Sequence, residues 1–90
     1  TPRMTTIEEM QQRLATLEPE AIEIGDDSAL HAGHAGARSG GGHYNLTIVS
    51  PQFDGLLTIK RHRLIYNALG DLMQTKIHAL SIKAYAPGEL

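Results

Sequence analysis

Five histidines are the side chains of this sequence best suited to chemistry, and three of them fall in one stretch, HAGHAGARSGGGH, residues 31–43. His31 and His34 are three apart, and His43 closes the stretch. His62 lies between Arg61 and Arg63, and His78 precedes an Ala-Leu pair. Neutral imidazole is a borderline ligand that suits zinc, copper and iron. The HxxH spacing alone is a weak signal. It lacks the glutamate of the zincin helix, and the glycines around it oppose a firm helix. A glycine-rich loop that happens to carry imidazoles is the plainer reading of 31–43. His78 shares a strand face with Leu80 and Ile82, and such a histidine is more often a packed residue than a ligand. Together, however, loop histidines and one rigid strand histidine make a partial metal site. It stays partial because the chain has no cysteine. Any iron–sulfur cluster held here needs thiolates from a partner.

Other chemistries find less support. There is no cysteine nucleophile, no GxSxG, and no fixed partner for any serine. Asp26 and Asp27 are adjacent and would face opposite ways on a strand. No catalytic constellation emerges, so the chain is not expected to be an enzyme. The GGG at 40–42 fits neither the P-loop nor the dinucleotide fingerprint. The segment KRHR, 60–63, offers Lys60, Arg61 and Arg63 to phosphate, or stands as a solvated helix end. The formal net charge of −2 argues against bulk nucleic-acid binding. The charge is uneven, acidic over residues 5–28 and mildly basic over 57–83.

These residues need a scaffold, and 90 residues allow one small domain. Hydrophobic residues make up 41%, with one phenylalanine and no tryptophan, so the core should be aliphatic. Residues 5–18 read as a helix with Ile7, Met10, Leu14 and Leu17 on one stripe. Thr5 or Thr6 caps it, with Glu8 or Glu9 completing a capping box, and Pro19 ends it. AIEIG, 21–25, reads as a strand. A loop follows to about residue 42, and HYNLTIVS is a second strand pairing antiparallel with the first. SPQFDG is a turn pinned by Phe53. A broad apolar face of Leu64, Ile65, Ala68, Leu69, Leu72 and Met73 marks helix over 57–74, with a short helical turn expected before the main helix. IHALSIKA, 77–84, is the last strand, with His78, Leu80 and Ile82 on one face and Ile77, Ala79 and Ser81 on the other. It follows a helix and so enters the sheet by a crossover, pairing in parallel. The order α-β-β-α-α-β predicts an α+β fold, a three-stranded mixed sheet with helices on one face.

Three segments, SPQFDGLLTIKRHRLIYNAL, IHALSIKAYAP and the histidine-bearing loop before HYNLTIVS, resemble the BolA family. The resemblance covers about residues 5–87. It implies a single BolA-like domain over 5–87, similar to the type II KH domain, with a disordered or extraneous N-terminus at 1–4 and a tail at 88–90. It also implies a non-enzymatic partner of monothiol glutaredoxins, monomeric alone and heterodimeric in the complex. The two would share a [2Fe–2S] cluster with bound glutathione, and the isolated chain would carry none. Matched residue by residue, His78 is the strand ligand of the family's histidine-alanine-leucine segment. His34 is the loop ligand, with His31 its competitor, so the chain resembles the histidine-loop subtype. His62 matches a structural or partner-facing histidine. Glycines 33, 36 and 40–42 would be hinges, and Gly42 should delay the start of the second strand.

Two functions compete. One is an adaptor in iron–sulfur trafficking or in iron and redox sensing. The other is a DNA-binding transcriptional regulator using a KH-like fold and the segment Lys60, Arg61, His62 and Arg63. A plainer third is weak zinc or copper binding by the loop histidines. A cytoplasmic location is expected from the lack of a visible signal peptide, and an organelle would look the same after presequence removal. No membrane span is expected, since no run reaches about 18 apolar residues.

Overall fold

The computed structural model describes residues 5–27 and 42–89. Helix α1, Thr6–Leu14, opens with the expected capping box. Thr5 is the cap: its hydroxyl accepts from the Glu8 amide at 3.1 Å, and the Glu8 carboxylate accepts from the Thr5 amide at 2.8 Å. The Thr5 amide, then its hydroxyl, holds the Glu8 carboxyl below its ordinary pKa. The helix tightens into a 3-10 turn at Ala15–Leu17, and Glu18 follows in the left-handed region at φ 52°. Met10, Leu14 and Leu17 are buried, as their spacing requires.

Three strands form one sheet in the order β1-β2-β3. β1, Ala21–Asp26, pairs antiparallel with β2, Gly42–Val49. β3, Ile77–Tyr85, pairs parallel with β2. Register places Ile24 beside Leu46 and Leu46 beside Ile82, and likewise aligns Ile22, Ile48 and Ala84. This face carries the core. Period-2 alternation leaves Glu23, Thr47 and Lys83 in a row on the other face.

Between β2 and β3 the chain makes a 3-10 turn, Pro51–Phe53, then α2, Thr58–Leu69, then the short α3, Leu72–Thr75. Phe53 is fully buried and pins the turn. Ser50 is the buried polar residue among those described. Its hydroxyl donates to the Leu17 carbonyl at 2.5 Å and accepts from the Gln52 amide at 3.1 Å. The order α-β-β-α-α-β is as expected, but the short helix follows the main one instead of preceding it. The segment 60–63 therefore lies inside α2 and not at a junction. The break comes at Gly70, whose φ of 57° favours glycine. There Arg13 of α1 reaches across to donate to the Leu69 carbonyl at 3.0 Å and to Asp71 at 2.6 Å. The Arg13 guanidinium bond draws the Asp71 carboxyl below its ordinary range. Lys76 and Glu9 make a second α1 link at 2.7 Å.

Two expectations fail at the start of the strands. β2 begins at Gly42 itself, whose amide donates to the Lys76 carbonyl at 3.0 Å, so the glycine neither delays the strand nor acts as a hinge. The reason is packing: a Cβ on Gly42 would stand 2.5 Å from the Tyr44 ring, which fills that space. β3 also breaks its own alternation. Gly42 pairs with Ile77 but His43 pairs with Ala79, leaving His78 as the extra residue of a bulge. Ile77 is therefore buried with Leu80 and Ile82 on the core side, while His78 is exposed.

Candidate functional site

The bulge builds the site. By strict alternation His78 would point with Leu80 into the helices. The extra residue releases it to the surface, and its ring centroid lies 5.1 Å from that of His43, the planes tilted by 44°. His43 heads β2 and His78 heads β3. Because these strands run parallel, both heads lie at one end of the sheet. His43 was not among the expected site residues. The signal for it was present in the parallel pairing, which places two strand heads, each with a histidine, side by side.

The same end roots the loop that carries His31 and His34. β1 leaves the sheet at Asp26 and β2 enters at Gly42. The Asp27 amide donates to the His43 carbonyl at 2.7 Å, and the Asn45 side-chain amide donates to the Asp27 carboxylate at 2.9 Å. Gly25 permits this crossing, since a Cβ there would come within 2.6 Å of the Asn45 side chain. Asp27, His43, Tyr44, Ala79, Leu80 and Ser81 line an adjoining open crevice of 450 Å³. His31 and His34 themselves, with glycines 33, 36, 40 and 41, lie outside the described residues. Among the described residues no cluster of three or more metal-ligating side chains forms. An exposed imidazole beside a second one is a nitrogen donor set suited to iron, zinc or copper. These two imidazoles alone do not complete a coordination sphere.

The basic segment divides. Arg61 is turned into the fold, and its side chain is 11% exposed. It donates to the Leu56 carbonyl at 2.9 Å, to the Ala84 carbonyl at 3.1 Å, and to both Glu89 oxygens at 2.6 and 2.8 Å. This corrects its grouping with the outward contacts: its donors are committed to holding the C-terminal segment. The hydrogen bond to Arg61, then that from the Ala86 amide, brings the Glu89 carboxyl down to about 2. Lys60 and Arg63 stand in solvent and His62 is half-buried. Thr58, Ile59, His62, Arg63 and Tyr66 line an open groove of 540 Å³ on α2.

With this fold the comparisons agree. The family described as BolA-like protein matches residues 14–89. The chain belongs to the BolA family. It is 47% identical over 79 residues to SufE-like protein 1, chloroplastic/mitochondrial, of Arabidopsis thaliana, covering 82% of this chain and 21% of that protein. The solved BolA domain of SufE1 from the same plant superposes with a TM-score of 0.83 at 39% identity, covering 99% of this chain and 100% of that domain. The DNA-binding transcriptional regulator BolA of Escherichia coli (strain K12) is 34% identical over 79 residues, covering 87% of this chain and 72% of that protein. The BolA family thus supplies the three-stranded mixed sheet with its helices. Among the described residues no helix is long and apolar enough to cross a membrane.

Proposed function

We propose that this chain is a BolA-type adaptor, not an enzyme, that shares a [2Fe–2S] cluster with a monothiol glutaredoxin. His78 is its fixed ligand, and His34 or His31 supplies the second from the loop. The glutaredoxin cysteine and a bound glutathione bring the thiolates. One observation carries this reading: the bulge exposes His78 at the sheet end where both roots of the histidine-bearing loop are anchored. Imidazole in place of thiolate makes the cluster less negative and raises its potential, as in Rieske centres. The chloroplastic/mitochondrial label of the plant relative supports an organellar location as an alternative to the cytoplasm.

The DNA-binding reading draws on the name of the bacterial relative and on exposed Lys60 and Arg63. Against it stand the net charge of −2 and the internal use of Arg61. The deciding experiment titrates the protein with a monothiol glutaredoxin loaded with a glutathione-ligated [2Fe–2S] cluster, read by visible circular dichroism. A new spectrum saturating at equimolar ratio, lost in His78→Ala and weakened in His34→Ala or His31→Ala, is expected. An unchanged spectrum, or a His78→Ala variant that behaves as the parent, sinks the adaptor reading.

A further inference from the structure

The exposed large hydrophobic side chains among the described residues are Leu57 at 72%, Ile59 at 66% and Tyr66 at 41% exposure, and the last two line one groove on α2. Leu57 caps α2, and Ile59, His62, Arg63 and Tyr66 follow at i, i+3, i+4 and i+7, which is one helix face. Core packing does not account for them, because α2 already buries Ile65 and Leu69 on another side. The charge that α2 itself carries has one sign. α2 holds no aspartate or glutamate, and among the described residues neither Lys60 nor Arg63 has an ion pair. The groove between Ile59 and Tyr66 is thus an apolar floor beside a basic rim.

This face is also held rigid at its start. Arg61, on the same helix, ties the Leu56 carbonyl, the Ala84 carbonyl and Glu89 together beneath it. Ala84 is near the far end of β3 from His78, six residues away. The two places are therefore separated by about 20 Å along the strand.

From these observations we infer that the Ile59–Tyr66 face of α2 is a second docking surface, which takes an acidic amphipathic segment of a protein partner. Apolar anchors of that segment fill the groove between Ile59 and Tyr66, and its carboxylates face Lys60 and Arg63. Charge complementarity selects an acidic occupant. The exposed isoleucine and tyrosine select a protein over a nucleic acid, because phosphate contacts need cations and not an apolar floor. A rim charge of this kind sets encounter rate, and buried apolar or aromatic anchors carry most of the affinity. This surface does not depend on the cluster reading, since it uses none of the same side chains.

The test uses the full chain, isotopically labelled, and two probes. One is a fluorescent peptide of about four helical turns, rich in Glu and Asp, with Leu and Phe at i, i+3, i+4 and i+7. The other is a short mixed-sequence DNA duplex. The peptide is expected to bind with amide shifts confined to α2 and its start. Ile59→Ser with Tyr66→Ser should weaken it tenfold or more, and Lys60→Glu with Arg63→Glu likewise. His78→Ala should bind the peptide as the parent does, and the Ile59/Tyr66 variant should still share the cluster. These substitutions are at exposed positions, and far-ultraviolet circular dichroism checks that each variant folds. Absence of peptide binding, or shifts centred on the bulge, overturns the inference. So does a duplex that binds α2 more tightly than the peptide and is lost in the Lys60/Arg63 variant but kept in the Ile59/Tyr66 variant.

Discussion

Adjacent residues Ile77 and His78 provide a sharp test of the bulge, because strict strand alternation and the observed register assign them opposite environments. Ile77 is 3% exposed within the core, and His78 is in solvent. Truncating a buried isoleucine to alanine removes its transfer free energy and leaves a cavity, about 2–5 kcal/mol in all. A domain of this size holds roughly 5–13 kcal/mol in total. Each kcal/mol moves the midpoint of such a domain by about 4–8 °C. Ile77→Ala should therefore lower Tm by more than about 8 °C and lower the urea midpoint with little change in slope. An exposed side chain leaves no core cavity when truncated, so His78→Ala should cost well under the buried Ile77→Ala and shift Tm by less than about 4 °C. Paired urea and thermal unfolding of the two variants decides the matter. A costly His78→Ala beside a neutral Ile77→Ala would mean that the alternation is unbroken. His78 would then point into the helices, and its role as an outward ligand would fall with the bulge.

Three further outcomes follow from single contacts. Ser50→Ala removes a hydroxyl that both donates to the Leu17 carbonyl and accepts from the Gln52 amide inside the core, and should cost about 1–3 kcal/mol in chemical denaturation. Glu89 binds its proton less readily folded than unfolded, so the stability it adds is complete above its ordinary value of 4.5 and fades as pH falls toward about 2. Unfolding midpoints followed from neutral to acid pH should accordingly show a component over that window, which Glu89→Gln removes. Gly25→Ala drives a Cβ into the Asn45 side chain, and should release Asn45 from Asp27 at the loop root. The Asn45 side-chain amide resonances report this directly, and unchanged shifts would refute it.

Most of the scaffold was legible because it rests on short-range rules. The capping box at Thr5 and Glu8, the stripe through Met10, Leu14 and Leu17, and the alternation in β2 are local patterns that the fold obeys. The parallel pairing of β3 followed from the helical crossover that leads into it. What was not legible involves one residue meeting another far along the chain. Arg61 reads as a surface cation in sequence, and only the approach of Ala84 and Glu89 shows where its donors go. The bulge at His78 is equally silent. Ile77 through Ile82 alternate acceptably in either phase, and it is the burial of Ile77 against the helices that settles the phase. The short helix after Gly70 depends on a positive φ supported by Arg13 from another element.

The bulge and the glycine opposite it explain each other. Bulges favour edge strands, and β3 is an edge, paired on one side only by β2. Inserting a residue there shifts the register by one, and the neighbouring strand must absorb the mismatch at its own first residue. Gly42 is that residue, and the Tyr44 ring folds over it into the space a side chain would fill. A larger residue at 42 would displace Tyr44, which is buried beside Leu80 at the foot of the exposed histidine. Gly42, the last of the three glycines, is therefore part of the sheet, and its lack of a side chain is tied to the packing beneath His78.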